Sequence, residues 1–385
     1  MLTSTTSRYP RRLATALARL LPLIVFAVAS CLPAQGSPPV WQPTLVTATT
    51  PHARSFATKP VIAVIGDTSG VELTDFLVPR ATLAESGVAQ VIVVAASSGK
   101  IPLKPSTLTI DADMTFAAFD AAYVHGADYV IVPAMFNPAI ATVRAWLQSQ
   151  AARGAIIVSI CEGARVVAGA GLLDGRNATT HWHALDDVAK KFPRTTWVRN
   201  SRYVIDDHRI STTGVSASLP VSIYLIERIA GRRAADSVAR RLGIESWDRQ
   251  HDTDAFYLTK WMYVKAATNY LAWWRHDVVA VAVSDGVDEV ALALTMDAIP
   301  RTMRAKALTW SDLGGSIVGR QGLRISVDRS RASLERSARQ LALPGTSVPP
   351  SGALDSALVR LGTWYGAGAR ELIRIGMEYP PRPAR

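Results

Sequence analysis

A cysteine at the end of an apolar run is the residue in this sequence best suited to covalent chemistry. The run Ala155–Ile160 is followed directly by Cys161, Glu162, Gly163 and Ala164. A continuous apolar run is typical of a buried parallel strand, and the small residues leave room for a tight turn into a helix. A strand that ends on a nucleophile in this way forms an elbow above the sheet. We predict a nucleophilic cysteine, with a thiolate favoured by the helix N-terminus and developing charge held by the Gly163 and Ala164 amides; the alternative is an inert buried cysteine.

Two blocks of sequence resemble the DJ-1/PfpI superfamily. They read SICEGARVVAGAGLLDGRNATTHW, around the cysteine, and VIDDHRISTTGVSAS, further along. The resemblance is greatest to the branch with a class I glutamine amidotransferase-like domain, found in AraC-type regulators and isocyanide hydratases, and it covers residues 59–244. It implies a flavodoxin-like α/β fold, a functional elbow cysteine, a small-molecule substrate or ligand, and a homodimer.

The resemblance also implies partners for the cysteine. Asp75 matches the acidic residue that reaches the elbow from the first strand–helix connection, where a protonated carboxyl would donate to the thiolate or act as a general acid. Glu72 is a rival on about the same helix face. His181 matches the signature histidine and would serve as a base, or else it caps a helix over His183–Lys191. Glu162 departs from the family, whose proteases have His there, so we expect no peptidase activity; its charge would also raise the thiol pKa unless it turns away.

Signatures for metals, nucleotides and nucleic acids are missing from the sequence. His181 and His183 are two residues apart with no third ligand in evidence, whereas zinc sites need three or four ligands. The sequence has neither a Walker loop nor G-x-G-x-x-G, so we expect no metal and no cofactor. The formal net charge is +11, but no basic run interleaved with aromatic residues marks a nucleic-acid groove, and we expect no nucleic-acid partner.

Strand and helix patterns alternate over residues 59–244, which predicts a doubly wound parallel sheet with flanking helices. Strands are predicted at Val61–Gly66, Val91–Ala95, Tyr129–Pro133 and Ala155–Ile160, with an excursion at Leu103–Asp111 and a hairpin at Arg202–Thr213. Helices are predicted at Leu73–Ser86, Pro138–Ala152 and within Val215–Arg241. In such a fold a ligand lies beyond the carboxyl ends of the strands.

Residues 245–276 are predicted to be a tryptophan-rich helical connector. Trp247, Trp261, Trp273 and Trp274 fall mostly at helical spacing. Aromatic stripes usually pack, so we expect an amphipathic helix that covers the first domain; a ligand-binding aromatic cluster is the alternative.

The layout of the first elements returns in Asp277–Arg385. The predicted elements are a strand at Val278–Val283, a helix through Lys306 and two short strands within Gly315–Val327. We predict a smaller α/β region that is a degenerate second copy without an elbow, because it has no cysteine and Ala291 stands where the first copy has Asp75. The alternative is an unrelated α/β subdomain in which strands, helices and turns happen to follow in a similar order.

The first 31 residues resemble an export signal. Arg8–Arg19 is the basic region, and Leu20–Ser30 is apolar but shorter than the about 20 residues of a membrane span. The letters VASC resemble a lipobox that would make Cys31 a lipidated first residue; cleavage after Ala34 and an uncleaved anchor are the alternatives. Residues 32–58 are predicted to be a flexible tether. We expect export to the periplasmic side and attachment to the membrane through the N-terminus.

These observations lead to two functional hypotheses. In the first, Cys161 acts on a small electrophile by hydratase-like or glyoxalase-like chemistry, or senses oxidants as a thiol, with Asp75 as the acid. In the second, the chain is a non-catalytic ligand-binding module related to AraC-type regulators. No recognition helix follows the domain, so this module would not bind DNA.

Overall fold

The computed structural model describes residues 59–380, which belong to one compact unit. The predictions of an export signal, of lipidation at Cys31 and of a tether over residues 32–58 lie outside the described residues. Among residues 59–380, none of the helices is both long enough and apolar enough to cross a bilayer.

Alternating strands and helices build the first part of the chain. Its strands are β1 (Val61–Gly66), β2 (Val71–Glu72), β3 (Gln90–Ala95), β4 (Lys100–Lys104), β5 (Thr109–Asp111), β6 (Met114–Thr115), β7 (Tyr129–Val132), β8 (Ile156–Ser159), β9 (Asn177–Ala178), β10 (Thr196–Trp197), β11 (Tyr203–Asp206) and β12 (Arg209–Thr212). Its helices are α1 (Leu73–Ser86), α2 (Phe116–Ala122), α3 (Ala141–Ala152), α4 (Gly163–Gly169), α5 (Leu185–Lys191), α6 (Ser218–Ala230) and α7 (Arg232–Leu242). These bounds confirm the predicted order of elements.

A seven-stranded sheet forms the core of this part, in the order β11-β12-β8-β7-β1-β3-β6. All neighbours are parallel except the β11–β12 hairpin. β7 and β8 are buried along their whole length and β1 along all but its first residue, as expected of central strands between helical layers. The doubly wound α/β fold is therefore confirmed.

The order of the strands reverses between β1 and β7, and this reversal determines where a site can form. After β1 the chain moves outward to β3 and β6, and it later adds β7, β8 and β12 on the opposite side. Because β1, β7 and β8 are parallel, the connections that leave β1 and β8 both start at the carboxyl edge of the sheet. Doubly wound folds bind ligands at this edge, next to such a reversal. α1 follows the first of these strands and α4 follows the second.

The second part of the chain forms smaller sheets. Its strands are β13 (Asp277–Ala282), β14 (Ala305–Ser311), β15 (Gly315–Val318), β16 (Arg324–Val327), β17 (Arg329–Ser330) and β18 (Arg339–Gln340). Its helices are α8 (Lys260–Leu271), α9 (Glu289–Ala298), α10 (Ala353–Tyr365) and α11 (Ala367–Gly376). One sheet is parallel in the order β17-β14-β13-β18, and a mixed sheet joins both parts in the order β15-β16-β5-β4-β2. The division into separate domains at residues 244 and 277 stays a prediction.

Two expectations for the second half of the chain were wrong. The helix predicted to reach Lys306 ends at Ala298, because Pro300 cannot continue it and Ala305–Ser311 pairs as a strand. The connector was expected to pack its tryptophans on the first domain, but only Trp247 is buried. The exposed fractions of the other three are 74% for Trp261, 74% for Trp273 and 69% for Trp274.

Candidate active site

Cys161 lies in a strained turn between β8 and α4. Its φ is +53°, a left-handed backbone conformation that costs energy for a residue with a side chain. Side-chain hydroxyls hold this conformation, because the Cys161 amide donates to Thr212 Oγ1 at 3.1 Å and its carbonyl accepts from Thr180 Oγ1 at 2.9 Å. The strand, the strained cysteine and the following helix are therefore arranged as the predicted elbow.

Gly163 permits the close approach of this turn to β7. A Cβ at this position would lie 2.1 Å from the Val132 carbonyl oxygen, so no residue with a side chain fits without movement of the backbone. The Gly163 amide donates to the Ile160 carbonyl at 2.8 Å, and the Ala164 amide donates to the Cys161 carbonyl at 3.3 Å. Both amides, predicted to hold developing charge, thus already have partners within the turn.

Asp75 is a buried acid in the first turn of α1. Its exposed fraction is 0%, Oδ2 accepts from the Ala134 amide at 3.3 Å, and Oδ1 is buried with no hydrogen-bond partner among the described residues. Burial raises the pKa of Asp75 to about 7. Its negative charge in turn raises the pKa of the Cys161 thiol, so the two groups interact.

Glu72 caps α1 and connects Asp75 to a half-buried arginine. Its Oε2 accepts from the Asp75 amide at 2.6 Å, and its Oε1 accepts from Arg301 Nη2 at 2.9 Å. Arg301 also donates to both carboxylate oxygens of Asp297, each at 2.9 Å. Burial raises the pKa of Glu72 well above its ordinary value, and the charges of Asp297 and Asp75 add to this effect. Glu72 is therefore a helix cap and a member of the charged cluster around Asp75.

The surroundings of Cys161 favour the protonated thiol over the thiolate. Its pKa is raised first by burial, and then by the negative charges of Asp75, Glu162, Glu72 and Glu378. The sequence led us to expect a thiolate favoured by the N-terminus of α4. Burial and the four carboxyl groups shift the pKa in the opposite direction to this expectation.

Glu162 points away from the thiol and pairs with a neighbouring arginine. Its Oε2 accepts from Arg165 Nε at 2.6 Å, and Arg165 also donates to Asp187. The Glu162 side chain is 37% exposed. It acts on the thiol through its charge, and its carboxylate is held by Arg165.

His181 faces a carboxylate that the sequence did not point to. Its Nδ1 accepts from the His183 amide at 3.3 Å, so the neutral ring has its proton on Nε2, which lies 4.0 Å from Glu378 Oε2. Burial lowers the pKa of His181. Within residues 59–380, no hydrogen bond joins His181 to Cys161. Its position before the turn at Trp182–Ala184 fits the structural alternative, a capping histidine.

Three charged residues of the site come from the second part of the chain: Asp297, Arg301 and Glu378. A buried charge on the apolar helix α9 was one available signal for Asp297, since such charges are rarely buried without partners. No local pattern marks Glu378 as part of a site around Cys161.

A cleft of about 1220 Å³ lies next to the buried Glu378. Its lining includes Ser216, His251, Phe256 and Tyr379, and Cys161 is not among the lining residues. His251 Nε2 and Glu378 Oε1 are 2.7 Å apart, so the carboxylate connects this cleft with the surroundings of His181. In the part of the chain that the structure describes, no group of three His, Cys, Asp or Glu side chains is placed to hold a metal ion.

Comparisons with known proteins identify the domain that contains this site. Residues 60–227 match the DJ-1/PfpI family, so the chain contains a DJ-1/PfpI domain. The HTH-type transcriptional regulator CdhR of Pseudomonas aeruginosa is 35% identical over 117 residues, which are 30% of this chain and 34% of that protein. The isonitrile hydratase of Pseudomonas putida is 31% identical over 99 residues, which are 25% of this chain and 41% of that protein.

The similarity covers only part of each relative. The chain spans about a third of the length of the regulators that it matches. Among solved structures, oxidised DJ-1 of Toxoplasma gondii has a TM-score of 0.42 and 20% identity, and covers 48% of this chain and 99% of its own.

The first prediction concerns the pH dependence of stability. Asp75 has a folded pKa of about 7 against an ordinary value of 3.8, so the folded chain retains a proton that the unfolded chain releases. The contribution of Asp75 to the free energy of unfolding is therefore greatest below pH 4 and falls as the pH rises towards 7. We expect Asp75→Asn to remove this fall, and so to be more stable than the wild type above pH 7 by up to about 4 kcal/mol. Urea unfolding over a pH series measures the difference.

Asp206→Asn is the control, because the folded state lowers the pKa of Asp206 and raises that of Asp75. Its carboxylate accepts from the backbone amide of Asn177, and hydrogen bonds from Asn177 and Arg176 outweigh burial and lower its pKa. This variant should lose stability above pH 4, where the wild-type carboxylate is ionised. If Asp75→Asn instead followed the wild-type curve at every pH, the proposed protonation of Asp75 would be wrong.

Proposed function

Because residues 60–227 are a DJ-1/PfpI domain, we propose that this protein is an enzyme whose Cys161 thiol adds to the electrophilic carbon of a small molecule. The main support is the unpaired Oδ1 of Asp75, on a buried carboxyl whose pKa is about 7, interacting with the thiol. An acid–base group is most effective when its pKa is near the working pH. We propose that Asp75 accepts the proton of the thiol during the reaction and transfers it to a substrate; in the resting structure no hydrogen bond joins the two side chains among the described residues.

Hydration of an isonitrile uses these groups without a cofactor. The Cys161 proton passes to the Asp75 carboxylate as the sulfur bonds to the terminal carbon, and Asp75 then transfers that proton to the same carbon, giving a thioimidate. Water adds across the carbon–nitrogen double bond, with one of its protons going to the nitrogen. The carbon–sulfur bond then breaks, and the second proton passes from the oxygen to the sulfur. The product is an N-substituted formamide, and one water molecule is consumed. A 2-oxoaldehyde would react by the same addition, with its carbonyl oxygen receiving the proton.

Burial of the thiol restricts the substrate to small molecules. Cys161 is 5% exposed, and the turn that holds it is packed against β7. A polypeptide could not reach the sulfur without unfolding the turn, which supports hydratase or glyoxalase chemistry over peptidase chemistry. Glu162 at the position after the nucleophile supports the same choice, because it pairs with Arg165 and provides no imidazole.

The second candidate is a non-catalytic ligand-binding module. The raised pKa of Cys161 favours it, because a thiol is a poor nucleophile and a poor sensor until it loses its proton. The regulators among the relatives favour it too. We propose the enzyme first because the same buried site contains an acid–base group that can remove the proton during the reaction.

The second prediction is a test of turnover. We expect the purified chain to convert an alkyl isonitrile to its formamide, or to consume methylglyoxal, as followed by proton NMR. Cys161→Ala and Asp75→Asn should each lower the rate by at least about 10²-fold, since one removes the nucleophile and the other the proton carrier. Asp187→Asn, which removes only an exposed partner of Arg165, is the matched control and should retain the wild-type rate.

Outcomes that contradict the enzyme are equally definite. Full turnover in Cys161→Ala would exclude thiol chemistry. Absence of turnover with both substrate classes, together with saturable binding of either compound, would favour the ligand-binding module.

We also propose that the chain is exported and attached to the membrane on the periplasmic side. The basic Arg8–Arg19 segment, the apolar Leu20–Ser30 segment and the VASC letters that end at Cys31 support this. A small molecule at the cell envelope would then be the substrate.

The third prediction concerns Cys31. We expect the chain expressed in a Gram-negative host to begin at a diacylglyceryl-modified Cys31, detected by mass spectrometry of the N-terminal peptide. Cys31→Ser should leave the signal uncleaved or shift cleavage, and should prevent lipidation. A mature N-terminus beyond Cys31, after Ala34 for example, would contradict lipid anchoring while leaving export intact.

A further inference from the structure

The elements of the second part of the chain repeat those of the first in spacing and in order. β1 begins at residue 61 and α1 at 73, whereas β13 begins at residue 277 and α9 at 289, so the interval from strand to helix is the same in both parts. The strand order β17-β14-β13-β18 repeats the order β6-β3-β1-β7. The same fold segment therefore occurs twice.

Individual hydrogen bonds repeat at matching positions. Asp113 Oδ2 accepts from the Val93 amide at 2.7 Å, and Asp328 Oδ2 accepts from the Thr309 amide at 2.7 Å. Thr309 lies as far beyond the start of β13 as Val93 lies beyond the start of β1. An unrelated subdomain would not reproduce such a local detail.

The closing helices repeat as well. Gly231 separates α6 from α7 with φ +82° and ψ 170°, and Gly366 separates α10 from α11 with φ +86° and ψ 169°. Both glycines have a positive φ that favours a residue without a side chain. The second pair of helices therefore turns as the first pair does.

The two copies meet in a reciprocal way. β5 pairs antiparallel with its own counterpart β16, with Ile110 opposite Ile325 and Thr109 opposite Ser326. Ile110 pairs with Ile101 in the first copy and Ile325 pairs with Ile317 in the second, so Ile325 is the counterpart of Ile110, and this position lies opposite its own counterpart. A position that contacts its own counterpart is expected where two copies are related by a twofold axis.

The closing helices meet with the same reciprocity. Ser216 Oγ donates to the Glu378 carbonyl at 2.6 Å, and Ser351 Oγ donates to the Gly243 carbonyl at 3.0 Å. Ser351 is the counterpart of Ser216, and Glu378 is the counterpart of Gly243. Each of these pairs is separated by the same number of residues as the two interhelical glycines. α1 also packs on its counterpart α9.

We infer that residues 277–378 are a reduced second copy that takes, within one chain, the place of the second subunit of a twofold dimer, and that its Arg301 and Glu378 are positioning residues for the Cys161 site. The second copy has Ala291 at the position of Asp75 and contains no cysteine. It has no elbow of its own and completes the site of the first copy. The duplication is independent of the proposed function, whereas the role of the two residues in catalysis rests on it.

Glu378 shows this adaptation most clearly. It has a left-handed backbone, φ +50°, at the position where the first copy has Gly243, φ +73°. A glycine would take this conformation without cost, so a fully buried glutamate there is exceptional. Its carboxylate accepts from the Gly214 amide at 2.6 Å and the Trp182 amide at 3.2 Å. Both partners belong to the first copy.

Arg301 acts on the carboxyl groups around Asp75. It donates to Glu72, which caps the helix that contains Asp75, and to the Gly376 carbonyl at 2.7 Å. It thereby fixes the start of α1 and supplies positive charge to the carboxyl cluster. The charged groups around the thiol are Asp75 and Glu72 from the first copy's α1 region, Glu162 from the elbow, and Arg301 and Glu378 from the second copy.

An engineered disulfide tests whether the two copies of one chain pack against each other in the twofold arrangement. Thr109→Cys combined with Ser326→Cys places two thiols on directly opposed strand residues, with Cys31→Ser and Cys161→Ser removing the native thiols. Under mild oxidation we expect an internal link, seen as a faster monomer band on a non-reducing gel. A disulfide-linked dimer, or no link in a chain that circular dichroism shows to be folded, would overturn the inference.

The pH profile of Cys161 alkylation by iodoacetamide tests the positioning residues. Glu378→Gly restores the residue of the first copy and removes a negative charge, so alkylation below the thiol pKa should become about threefold to tenfold faster. Glu378→Gln should give the same shift. Arg301→Met should slow alkylation, and Arg301→Lys should restore the rate. Glu371→Gln, on α11 and paired with Arg374, is the control and should leave the profile unchanged.

A purely structural role would change the unfolding free energy of these variants but leave the profile in place, and that result would overturn the positioning role. Alkylation reports on the thiol whether or not the protein turns over a substrate. If the wild type has no activity but the shifts occur, the proposed function fails and this inference stands.

Discussion

The competition of three buried carboxyl groups for one guanidinium is the interaction on which the rest of this site depends. Asp297 and Glu72 bind Arg301 directly, and Asp75 is attached to Glu72 through its backbone amide. A single positive charge cannot neutralise three carboxylates in a buried site, so at least one of them keeps a proton near neutral pH. Burial raises the pKa of both Glu72 and Asp75, and these two neighbouring carboxyl groups therefore share that proton.

The same cluster determines the state of the cysteine. Burial and negative charge raise the pKa of the Cys161 thiol, whereas many reactive cysteines lie in electropositive surroundings. A reaction at this sulfur must therefore remove the proton at the moment of addition. The carboxyl whose charge disfavours the thiolate is also the group that can accept the proton, since its own pKa is raised to about 7 by burial. In the proposed reaction, the thiol loses its proton to Asp75.

Local features of this site could be predicted from the sequence, and contacts between distant segments could not. The apolar strand, Cys161 and Gly163 lie within one short stretch, and the physical requirements of the turn select their types. The bounds of α1 followed from its apolar pattern, and Asp75 followed from the family resemblance. Arg301 and Glu378 lie far along the chain from Cys161 and belong to no motif. Their contribution depends on how two segments pack, which periodicity does not report. The thiol pKa was predicted in the wrong direction for the same reason, because Glu378 and Glu72 add charge that the elbow sequence does not reveal.

A fused twofold explains why such distant residues can become specialised. In a homodimer each substitution appears in both subunits, so a residue that improves one site also changes its own symmetric position. Within one chain the two positions are free to differ. The first copy keeps Gly243 at the end of α7, where the left-handed backbone costs nothing, and the second copy has Glu378 there. Its strained backbone is compensated by hydrogen bonds to Gly214, Trp182 and His251. Gly214 in turn has no room for a side chain, because a Cβ would lie 2.4 Å from the Glu378 carboxylate. The pair Gly214 and Glu378 is thus matched across the interface in one direction only, which a symmetric dimer could not maintain without two such sites.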